Sequence, residues 1–105
     1  MVGVCSGVGF VYEIMIYWVE WLEQYGIDRA DAQAMILDTF HGTTLLAKNS
    51  PNLPLSDLQA KVVSKKGVTQ AGLEAFNEYE LERVLRVSFE KALLRNKELE
   101  KYVGP

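Results

Sequence analysis

The stretch "VVSKKGVTQAGL", residues 62 to 73, gathers the groups most able to do chemistry in this chain. Ser64 and Thr69 carry hydroxyls, Lys65 and Lys66 carry charge, and Gly67 allows the backbone to turn just before a new helical pattern. At a helix start the first backbone N–H groups have no acceptor within the helix. Those of Gly67, Val68 and Thr69 would therefore be available to a carboxylate or phosphate. The helix dipole adds ~0.3–1 kcal/mol in favour of negative charge there. The same residues also suit a plain connection between two helices. Physical chemistry alone leaves anion binding and turn-making level.

Other reactive side chains are sparse. His41 is the single histidine, which removes triads and multi-histidine metal centres from consideration, and it reads as a partly buried helix residue. Cys5, the single cysteine, has no basic neighbour to lower its pKa and reads as a small packing residue. Glu13 and Glu20 share a helix face, but seven residues separate them by ~10 Å, so they read as a solvated or interface edge. "GVGFVY" places Tyr12 where a dinucleotide fingerprint needs a third small residue, and no strand precedes it. No metal site is expected.

The elements that must position the loop are all helical. Apolar residues recur at 3.6-type spacing, and no strand-length alternation occurs. A first helix is predicted over Gly9 to Tyr25, with Gly26 as the residue that ends it. Eleven of the thirteen residues from Phe10 to Leu22 are apolar, and such a helix must be covered on nearly all sides. One domain of 105 residues cannot do that for a terminal helix, so a partner subunit or a further domain is expected. Trp18 and Trp21 then read as core or interface anchors.

Asp28 is predicted to cap a second helix reaching Lys48, with Leu37, Phe40, Thr44 and Ala47 on its apolar stripe. Gly42 inside it costs ~1 kcal/mol relative to alanine and implies a close backbone approach. Ser56 and Gln59 fit a capping box for a third helix ending near Val63. Thr69 is predicted to cap a fourth helix running to Phe76. A last amphipathic helix is expected over Glu80 to Lys101, apolar along Leu81, Leu85, Phe89, Ala92 and Leu99, with Glu82, Arg86 and Glu90 as a charge ladder. A net charge of −3 argues against general nucleic-acid binding. The absence of a signal-like start or a membrane-length apolar run points to a cytoplasmic protein.

Taken in order, the segments resemble one family. "SGVGFVYE", "YGIDRADAQAMILDTFHGT", "LQAKVVSKKGVTQAGLEAF" and the tail "RNKELEK" resemble successive pieces of the C-terminal domain of pyrroline-5-carboxylate reductase. The resemblance implies an all-α dimerisation domain of about five helices that forms an interleaved homodimer able to assemble into larger rings. It implies an N-terminal Rossmann domain, absent from this chain, that binds NADPH or NADH. It implies hydride transfer to the imine carbon of pyrroline-5-carboxylate, giving proline. By that resemblance Ser64, Gly67 and Val68 would hold the substrate carboxylate and Thr69 would approach the ring nitrogen. Ser6, Gly7, Val8 and Gly9 would lie beside the cofactor.

Departures from the family pattern set the alternative. Lys65 and Lys66 stand where the family has Pro-Gly, Val8 replaces a serine and Phe10 a proline. A lysine at position 66 would cost ~1–2 kcal/mol if that position needs positive φ. The isolated chain is expected to be inactive. The alternative is a family-derived helical module kept for interaction, without catalysis.

Overall fold

The computed structural model describes the backbone of residues 2–63 and 67–103, and the side chains of residues 7–63 and 67–99. Five helices follow one another: α1 (Val2–Gln24), α2 (Arg29–Lys48), α3 (Leu55–Val63), α4 (Val68–Glu78) and α5 (Leu81–Val103). No strand occurs among the described residues. The all-α expectation holds, with five elements in the expected order. The chain divides into two compact units, Gly9–Lys61 and Val62–Pro105, the second joined by Met1–Val8.

Within Gly9–Lys61, α1 ends as its sequence predicts. Gly26 has φ 88°, and Gly26 and Ile27 return their N–H groups to the carbonyls of Glu23 and Leu22 at 3.0 and 3.4 Å. That pairing is a Schellman closure, which needs a residue in the left-handed region. Asp28 then caps α2, its Oδ2 accepting from the N–H of Ala30 at 3.1 Å. The Arg29 guanidinium reaches back to Glu23 at 3.2 Å across the turn.

The two helices meet through Trp18, whose ring sits edge-on to Phe40 at 6.2 Å. Only Ala32 and Ile36 are fully buried among the described side chains. Burial of an isoleucine contributes about 1.5–3 kcal/mol, so this core is thin. The inward stripe of α2 is Ala32, Ile36 and Phe40, rather than the predicted stripe through Leu37, which is 45% exposed. Thr44 is exposed and turns its hydroxyl onto the Phe40 carbonyl at 2.8 Å. The close approach expected at Gly42 is not seen among the described residues of its own unit, where an added Cβ would meet nothing within 4 Å.

Several predicted boundaries shift. α1 begins at Val2, seven residues before the predicted start at Gly9. Once the strongly helical run from Phe10 exists, extending it adds one hydrogen bond per residue fixed, and that outweighs the glycines. The capping box at Ser56 does not form. α3 starts at Leu55, and the Pro54 carbonyl accepts from Asp57 and Leu58 at 3.0 and 3.3 Å.

In the second unit α4 and α5 pack on each other, with Leu73, Leu81, Leu85 and Ala92 half-buried. α5 is rotated from the predicted register. Ser88 and Asn96 join the sheltered side, whereas Phe89 and Leu99 are 50% and 46% exposed. Glu80, predicted to open α5, stands before it at φ 57°. Glu82 and Arg86 form the first rung of the expected charge ladder at 3.5 Å.

Candidate functional site

Gly67 is the N-cap of α4 and sits in the left-handed region, at φ 73° and ψ 1°. Glycine is suited to this conformation because it has no Cβ to clash with the following carbonyl. Its carbonyl accepts from Ala71 at 3.0 Å and so closes the first turn. Val68 and Thr69 are therefore the first two helical residues. Thr69 is not the cap that the sequence suggested, and among the described residues no side chain caps this end. A left-handed glycine occupies the N-cap position that a hydroxyl residue would otherwise fill.

That leaves an end unlike a capped one. The N–H groups of Val68 and Thr69 lie in the turn where the helix itself provides no acceptor. α2, α3 and α5 each carry an acid in the first turn, Asp31, Asp57 and Glu82, whereas α4 carries none. The dipole of α4 is thus not offset by an acidic side chain of its own first turn. Gly67, Val68 and Thr69 are all exposed, and no described residue beyond the chain neighbours lies within 4 Å of where a Gly67 Cβ would be. A helix start left open in this way is of the kind that suits an anion.

Ser64, Lys65 and Lys66 lie outside the described residues. The φ of position 66 falls with them, and the left-handed residue described at the helix start is Gly67. Ser6, Gly7, Val8 and Gly9 are helical residues of α1, not a loop leading into it. Gly7 and Val8 belong to the same compact unit as Gly67, Val68 and Thr69, while Gly9 belongs to the other. Val8 is 55% exposed, and the Ser6 side chain lies outside the described set.

The sequence reading missed a groove of about 480 Å³ between α1 and α2, in the Gly9–Lys61 unit. Its apolar walls are Tyr12, Met15, Ile16, Val19, Ile36 and Leu37, and its polar members are Glu20, Arg29 and Gln33. The i, i+3/i+4 run Tyr12, Ile16, Val19 was the available signal. The hydrogen bond to Glu23 raises the pKa of Arg29 above its ordinary value. On α1, the Tyr17 hydroxyl donates to Glu13 at 3.0 Å, and that bond raises the phenol pKa. Among the described residues no group of three or more His, Cys, Asp and Glu could hold a metal ion. No helix among them is long and apolar enough to cross a membrane.

The family described as pyrroline-5-carboxylate reductase dimerisation matches residues 2–99. This chain belongs to that family. Proteins named pyrroline-5-carboxylate reductase are similar along the same stretch. One from Staphylococcus saprophyticus is 31% identical over 94 residues, covering 90% of this chain and 34% of the relative. One from Staphylococcus epidermidis is 30% identical over 94 residues, with the same coverage. One from Staphylococcus haemolyticus is 28% identical over 96 residues, covering 91% of this chain and 35% of the relative. The chain spans about a third of the length of the curated relatives it matches. No solved structure matches it. As a member of the pyrroline-5-carboxylate reductase dimerisation family, the chain has the all-helical make-up that its sequence implied.

Proposed function

We propose that this chain is the helical dimerisation and substrate-binding part of a pyrroline-5-carboxylate reductase, a cytoplasmic enzyme that reduces 1-pyrroline-5-carboxylate to L-proline. The observation that carries the reading is the family match across residues 2–99. Among the described residues no strand leads into a glycine-rich turn, so these helices do not fit a dinucleotide on their own. The hydride belongs to NADPH or NADH held by a Rossmann domain in the full-length enzyme. The isolated chain should be inactive.

The part played by this chain is binding and orientation. The N–H groups of Gly67 and Val68, with the Ser64 hydroxyl, hold the substrate carboxylate at the open start of α4. The Thr69 hydroxyl, one residue further into the helix, approaches the ring nitrogen. Ser6, Gly7, Val8 and Gly9 lie toward the nicotinamide. A protonated imine is already electrophilic, so fixing its position is the main contribution.

The chain also supplies the means of pairing. On α1, Ile14, Tyr17 and Trp21 stand 44%, 62% and 52% exposed at three- and four-residue spacing, a face for a second copy to cover.

The test is to express the chain with its dinucleotide-binding domain and follow NADPH oxidation on adding pyrroline-5-carboxylate. Substrate-dependent turnover is expected, and Thr69→Val should lower kcat/KM by about tenfold or more, as loss of a hydrogen bond to a charged group would. A folded dimer without turnover would favour the non-catalytic interaction module, for which the Lys65-Lys66 pair and Val8 argue.

A further inference from the structure

We draw no further inference here: the strongest candidate, the largely apolar groove between α1 and α2 lined by Met15, Ile16, Val19 and Ile36 with Glu20 and Arg29 as its charged members, carries none because nothing in the structure shows what covers it.

Discussion

Two helix-to-helix turns in this chain each place a residue at positive φ, but with different residue types. Between α1 and α2 the left-handed position is Gly26, at φ 88°, and the next helix is capped by Asp28. Between α4 and α5 it is Glu80, at φ 57°, whose N–H bonds the Asn77 carbonyl at 3.2 Å. Both reversals close the preceding helix by the same kind of bond. The first does so with residues suited to the geometry, and the second forces a residue with a Cβ into it. The Gly9–Lys61 unit therefore holds its turn without strain, while the other unit stores some at Glu80 for want of a glycine.

The contrast also explains what could be read in advance. Gly26 and Asp28 announce themselves, because glycine at a helix end and aspartate at a helix start each have a physical reason to be there. Glu80 gives no such signal, since a glutamate reads as a good helix former, and the predicted helix accordingly began on it. The start of α4 was misread for a related reason. Thr69 looked like a cap, but Gly67 took the N-cap position two residues earlier. The registers of α2 and α5 were legible only to within one helical step. Each carries apolar residues on more than one face, and periodicity cannot say which of them turns inward. The apolar character of α1 was plain from its residues, and it persists as exposed surface in the single chain.

The comparison breaks most readily at Gly26. Gly26→Val places a β-branched residue in the left-handed region and should cost about 2 kcal/mol. Chemical denaturation would read it as a lower midpoint with little change in slope. Asp28→Ala, two residues on, should cost about 1 kcal/mol by removing the acceptor for Ala30. If Asp28→Ala proved the more damaging of the two, the turn would depend on its cap and not on its glycine.

The smallest effect has the opposite sign and sharpens the comparison. Glu80→Gly relieves the left-handed glutamate, a gain of about 1–2 kcal/mol. Against it stands the greater freedom of glycine in the unfolded chain, about 0.5–1 kcal/mol. The ion pair of Glu80 with Arg83 at 3.5 Å is also lost, but both side chains are largely exposed, and such pairs contribute little. The balance is a stabilisation of about 0.5 kcal/mol, visible as a small rise in the unfolding midpoint. A fall instead would mean that the Glu80 side chain supports the start of α5 more than its backbone conformation strains it. The two turns would then differ in what holds them, and not merely in how well their residues fit.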